Sequence, residues 1–250
     1  KLDRLICAHA LAQFLKAAGI EVTAAEIDAQ VAQLRRTPPS SGCSCCRYAS
    51  LEEFMDALAM DLQELRRGIA NDLGTQRYLD ARWDKEYPTA AQRAALLATE
   101  KPQLEQGYLK ASHIFFNTFQ NPRFDEDPDE VRQATRNKAE AAWRRLEAGE
   151  RFEAVAMAVS DDALSKVNGG ALGCIPREAL GKQFAAAVAA LEPGRYGCPV
   201  ESPWGWHIVR REPITDADLL GLVREDILGR WWAEEKRRLV AEARIERFDD

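Results

Sequence analysis

The 250-residue chain has three histidines and six cysteines, and no apolar run in it approaches the length of a membrane span. A spanning helix needs about 20 consecutive apolar residues, so no membrane insertion is expected. The cysteines, at 7, 43, 45, 46, 174 and 198, are too sparse for a disulfide scaffold in a chain that can build a core from 46% hydrophobic residues. They leave the redox compartment open. Lys and Arg are outnumbered by Asp and Glu, 34 to 40, for a net charge of -6, and the basic residues are scattered along helix faces. Nucleic acid binding needs concentrated positive charge, so no nucleic acid partner is expected. The opening KLDRLICAHALAQFLKAAG alternates charged and apolar positions as an amphipathic helix does, which is not the pattern of an intact signal peptide.

The N-terminal third carries helix signals. Thr23 and Glu26 in TAAE form a capping box ahead of Ile27, Val31 and Leu34, and Gly19 ends the preceding helix. Ser50 and Glu53 repeat the device ahead of Phe54, Leu58, Leu62, Leu65 and Ile69, a stripe that continues towards Tyr78 and Trp83 until Pro88 stops it. RRTPPSSGCSCCRYA between these helices reads as a loop. A short helix from about Ala90 to Glu100 completes an all-helical region.

At Tyr108 the pattern changes. YLKASHIFF is β-rich, and the polar NTFQNPRFDEDPD leads to a long helix through Arg145 that Gly149 closes. A second helix, RFEAVAMAV, runs into SDDALSKVNGGALGCI, whose glycine pair marks a turn into a strand. A helix near Phe184 to Leu191 follows. The turn EPGRYG then opens two short strands, CPVES and WHIVRRE, hinged at Trp204-Gly205. The order is β-α-α-β-α-β-β. From Thr215 the chain is helical again, with Leu220, Val223, Ile227, Leu228, Trp231 and Trp232 on one broad face.

ASHIFF, SDDALSKVNGGALG, Phe184, the EPG turn and SPWGWHIV stand in the order of the motifs of the parvulin-type peptidyl-prolyl cis/trans isomerases, and the chain resembles that family over about residues 109 to 213. A helical region before such a unit and a long helix after it resemble the layout of the SurA, PrsA, PpiD and NifM group. The resemblance implies an α+β fold: a parvulin-like domain over 108–213, with a four-stranded antiparallel sheet and helices, plus an all-helical domain. The latter would join an N-terminal chaperone-like region, 1–107, to a C-terminal helix, 214–250, packed on it. It implies isomerase activity on unfolded or partly folded, proline-containing polypeptides, no cofactor, and action in the periplasm or cell envelope. A cytoplasmic accessory role and a client-binding chaperone with an inactive or auxiliary parvulin unit are the alternatives.

In this family a histidine from the first strand and one from the last meet at the floor of the site; here these are His113 and His207. Both also suit satisfied core histidines, and orientation of the site outweighs acid-base chemistry as their role. Asp162 falls where the family carries Asp or Cys facing the substrate carbonyl, though SDD also suits a helix terminator with solvated acids. Ser202 is placed to donate to the pair. Leu172, Leu180 and Phe184 fall at the family's proline socket, with ordinary core as the other reading. Trp204 and Trp206 stand where aliphatic or small residues are usual, as a wider apolar wall for the substrate. Phosphate-directed parvulins follow the first strand with basic residues. NPRFDEDPDE instead has four acids before Glu130 and only Arg123 basic, which predicts no preference for phosphorylated substrates.

GCSCC lies outside this resemblance. Cys43, Cys45 and Cys46 are candidate ligands for Cu(I), or for Zn(II) with Cys7 or His9 as a fourth. The spacing is not that of a CxxC knuckle, however, and adjacent cysteines point apart in most backbones. A local disulfide or reduced thiols is the favoured reading, with no metal expected.

Overall fold

The computed structural model describes residues 2–39, 48–118 and 128–242, with the side chains of 2–7 left aside. Cys43, Cys45, Cys46, Arg123 and most of the acidic segment after the first strand lie outside the described residues. In chain order the elements are α1 (Leu2–Ala17), α2 (Ala24–Arg36), α3 (Leu51–Ala57), α4 (Leu62–Glu86), α5 (Ala90–Gly107), β1 (Tyr108–Asn117), α6 (Pro128–Glu147), α7 (Phe152–Val159), α8 (Ala163–Lys166), β2 (Ala171–Pro176), α9 (Lys182–Ala190), β3 (Val200–Ser202), β4 (Gly205–Arg211) and α10 (Asp216–Glu242). They form two compact units, residues 1–95 with 221–250, and residues 96–220.

The first unit is helical among its described residues. Both halves of the Thr23–Glu26 capping box form, satisfying amides that the first turn of α2 leaves without partners. The apolar stripe from Phe54 to Trp83, expected as one helix, is two. Leu58 closes α3, Ala59 takes φ of 48°, and Asp61 opens α4. Asp61 Oδ1 accepts from the Glu64 amide at 2.7 Å, and Glu64 Oε2 accepts from the Asp61 amide at 3.1 Å. This second capping box, Asp-x-x-Glu, outweighs the continuity of the stripe. Val31, Leu51 and Leu65 are buried together, with Leu34, Phe54, Met55, Met60 and Ile69 packed around them. Of α10, Val223, Ile227 and Leu228 are buried. Arg224 pairs with Asp80, and the Arg82 guanidinium lies 4.3 Å from the centre of the Trp231 ring.

The second unit is built on a four-stranded antiparallel sheet in the order β2-β1-β4-β3. Strand alternation sends Ile114, Phe116 and Ile208 to one face, where Ala139, Ala142, Leu146, Phe152 and Val155 of α6 and α7 cover them. Leu109, Ala111 and Val209 face the other way, against Phe184 and Val188 of α9. Helix α5 continues to Gly107 through Pro102, past the expected end at Glu100. The flanks of the sheet are fastened by Lys101 to Asp216 at 2.6 Å and Lys110 to Asp218 at 2.8 Å. Thr215 caps α10, its Oγ1 accepting from the Asp218 amide at 3.2 Å, which carries this unit past residue 213. Among the described residues no helix is long and apolar enough to cross a membrane.

Candidate active site

His113 lies on β1, and β4 puts His207 across from Phe115, two residues further along β1. Side chains two apart on a strand share a face, so both imidazoles stand on the side covered by α9. His207 Nδ1 is 3.3 Å from His113 Nδ1, His113 Nε2 is 3.0 Å from Asp162 Oδ2, and His207 Nε2 is 2.8 Å from Ser202 Oγ. Four residues expected at the site are thus joined as Asp162–His113–His207–Ser202.

Burial holds His207 neutral, its pKa lowered to about 3, with the neighbouring His113 adding to the effect. Asp162 is held below the usual carboxylate range, first by its hydrogen bond from His113, against the opposing effect of its own burial. An ionised carboxylate only accepts, so His113 Nε2–H donates to Asp162. Neutral His207 carries one N–H, on Nδ1 towards His113 or on Nε2 towards Ser202, whose own hydroxyl donates to the Gly205 carbonyl at 3.1 Å. The Asp162 carboxylate is held independently by the Ser165 hydroxyl and by the amides of Leu164 and Ser165, at 3.2 and 3.3 Å.

Two glycines make this geometry possible. Gly170 accepts the His113 amide on its carbonyl at 2.8 Å, and a Cβ there would lie 2.3 Å from the His113 carbonyl oxygen. Gly205, at φ of 144° in the hinge before β4, would put a Cβ 2.0 Å from the Phe116 carbonyl oxygen. Gly205→Ala is therefore expected to destabilise the unit by several kcal/mol, of the order seen for an L residue forced into an incompatible backbone. Thermal unfolding checks it; a melting temperature within a degree of the parent contradicts the hinge geometry.

Phe184 stands edge-on to both imidazoles, with centroids 5.9 Å from His113 at 73° and 5.3 Å from His207 at 88°. Leu172 and Leu180 are half-buried beside it, so the three expected socket residues come together. Trp204 is 69% exposed at the β3–β4 turn, its amide donating to Ser202 Oγ at 3.2 Å. Trp206 is not brought to the site. It is adjacent to His207 on β4 and so turns to the opposite face, packing on the cluster under α6 with the Arg136 guanidinium 5.4 Å from its ring centre. Phe115 and Ser165, not expected at the site from the sequence, contribute a ring stacked on His207 at 4.7 Å and the hydroxyl on Asp162. Among the described residues no group of three His, Cys, Asp or Glu is placed to hold a metal; Cys174 and Cys198 are unpaired thiols.

The lowered pKa values fix how stability depends on pH. An unfolded histidine takes up its proton near pH 6.5, whereas folded His207 does so only near 3. Between these values the unfolded chain holds more protons, so stability falls as pH falls. Asp162 acts in the same direction, its contribution present above the unfolded carboxylate value and lost as pH falls through the folded one. The melting temperature of the sheet unit is expected to drop between pH 6.5 and 4. His207→Asn should flatten that slope; an equally steep slope in the variant contradicts the assignment.

A family model described as Rotamase, PPIC-type PPIASE domain, matches residues 113–213. The chain is 34% identical over 134 residues to the chaperone SurA of Alkalilimnicola ehrlichii, an alignment that takes in 54% of this chain and 29% of the relative. It is 31% identical over 137 residues to the foldase protein PrsA of Clostridium kluyveri, over 51% of this chain and 40% of the relative. The chain thus spans well under half the length of these curated relatives. The crystal structure of PrsA from Bacillus subtilis shares the fold, with a TM-score of 0.55 over 100% of this chain and 84% of that one, at 21% identity. The strand order, the motif succession and the family match make residues 113–213 a PPIC-type PPIase domain, in a chain similar to parts of SurA and PrsA.

Proposed function

We propose that the chain is a peptidyl-prolyl cis/trans isomerase and folding factor that acts on unfolded or partly folded polypeptides without selecting a phosphorylated residue before proline. The observation that carries this is Phe184, set edge-on against the linked histidine pair with Leu172 and Leu180 beside it. X-Pro isomerisation breaks no bond; its barrier of ~18–20 kcal/mol is the amide resonance lost in the twisted state. Catalysis needs tighter binding of the twisted form than of either planar one, and a thousandfold acceleration corresponds to about 4 kcal/mol of that preference. In this reading Leu172, Leu180 and Phe184 hold the proline ring. His113 and His207 orient the polar floor without exchanging protons with substrate. Asp162 anchors the pair through His113 Nε2–H, Ser202 presents its hydroxyl at the open end, and Trp204 supplies an apolar wall.

Protease-coupled isomerisation of tetrapeptides differing in the residue before proline tests this. Acceleration is expected with apolar and aromatic residues and little gain with phosphoserine. A clear preference for phosphoserine contradicts the substrate class.

A second reading, client holding by the helical unit, is favoured by a groove of about 630 Å³ lined by Leu34, Phe54, Leu58, Met60 and Ile69. Leu58→Asp, which places a charge in that groove, is expected to weaken suppression of client aggregation while leaving tetrapeptide turnover intact. Equal loss of both activities would argue against separate roles. The proposed place of action is the periplasm or cell envelope, supported by the likeness to SurA and PrsA.

A further inference from the structure

Phe115 follows His113 by two residues on β1 and faces His207 in the β1–β4 register. Its ring is nearly parallel to both imidazoles, 4.7 Å and 22° from His207 and 6.0 Å and 9° from His113, while the imidazoles are 5.4 Å and 26° apart. The hydrogen-bonded imidazoles therefore lie side by side, Phe115 stacks on His207, and Phe184 meets both imidazoles edge-on. The backbone of Phe115 is fixed by the segment that delivers Asp162. Its amide donates to Ser160 Oγ at 3.1 Å, and its carbonyl accepts the Asp161 amide at 2.7 Å. Phe115 is thus tied to the residues that set one end of the hydrogen-bonded chain and stacked on the residue near its other end.

We infer that Phe115 is a positioning residue for the histidine pair: its ring covers one face of His207 and holds that imidazole in the plane in which Nδ1 meets His113 and Nε2 meets Ser202. A stacked ring fixes orientation about a side-chain torsion that two hydrogen bonds leave free to rock, and it keeps water from the covered face. The polar and titratable groups facing His207 are His113 from β1, Asp162 beyond it from the turn before α8, and Ser202 from β3; α9 offers the apolar edge of Phe184. Removing the Phe115 ring changes none of these charges. It changes the access of water, and burial is the largest influence holding His207 neutral. The consequence for catalysis rests on the isomerase reading; the positioning itself does not.

The test is the titration of the histidine Cε1–Hε1 signals by NMR in the full chain, comparing the parent with Phe115→Ala and Phe115→Leu. His9, exposed on α1 in the other unit, supplies a reference signal. In Phe115→Ala the His207 midpoint is expected to rise by at least one pH unit, and in Phe115→Leu, where the isobutyl group covers part of the ring's place, by less. A merely structural role would lower the melting temperature and leave the His207 midpoint where it is; an unchanged midpoint in folded Phe115→Ala overturns the inference. If the alanine variant does not fold, Phe115→Leu decides alone, an upward shift supporting the inference and no shift overturning it. Should the midpoint move as expected in a chain without isomerase activity, the functional reading fails and the positioning role stands.

Discussion

Phe184→Ala is expected to lower kcat/KM by about 10- to 100-fold, the rate equivalent of the ~1.5–3 kcal/mol that burial of one large apolar side chain contributes. His113→Ala is expected to lose less. The reason lies in what each deletion leaves behind. In the proposed socket, loss of Phe184 would leave the proline ring without a wall beside the histidines and weaken binding of the twisted state. Without His113, Asp162 keeps the Ser165 hydroxyl and two amides, His207 keeps Ser202, and water can occupy the vacated space. Phe184 is also a core residue, 8% exposed, so melting curves must accompany the kinetics, and Phe184→Leu serves as a variant that keeps most of the packing. If folded His113→Ala loses more activity than folded Phe184→Ala, proton transfer and not orientation is the histidines' task.

The second large effect concerns α10. We propose that deleting residues 221–250 unfolds the helical unit and leaves the parvulin unit folded. Val223, Ile227 and Leu228 are buried, and three such side chains contribute roughly 4–9 kcal/mol, comparable with the whole stability of a small domain. The Arg224–Asp80 pair and the Arg82–Trp231 contact would go with them. The first turn of α10, held by Lys101 and Lys110 to Asp216 and Asp218, stays with the sheet. Circular dichroism should show most of the helical signal of the first unit lost, while tetrapeptide turnover persists. Full helical signal with turnover abolished would reverse the proposed arrangement.

The sheet unit was legible because its motifs are local: alternation in YLKASHIFF and WHIVRR, the glycines before β2, and the turn at Trp204-Gly205 each determine their own element. The histidine pair was legible only through the family resemblance, since 94 residues separate the two. Trp206 was misplaced because nearness in sequence to His207 suggested nearness in space, whereas a strand sends adjacent side chains to opposite faces. Phe115 was hidden by the reverse of that rule; two positions from His113, it had to share its face. The break between α3 and α4 is masked by an apolar stripe that runs on across Ala59, and the Asp61–Glu64 capping box is the local signal that marks it. Pro102 suggests an earlier end to α5 than the helix takes, since α5 runs through it to Gly107.

The proposed catalysis rests on an oriented histidine pair, with His207 neutral, that binds twisted X-Pro beside an apolar socket with no proton exchanged. The most direct measurement is the cis-to-trans rate of a tetrapeptide with an apolar residue before proline, followed from pH 6 to 8. The account predicts acceleration over the uncatalysed rate that is flat across this range, because His207 stays neutral throughout it. Absence of acceleration, or a steep change following a single imidazole titration, would contradict it.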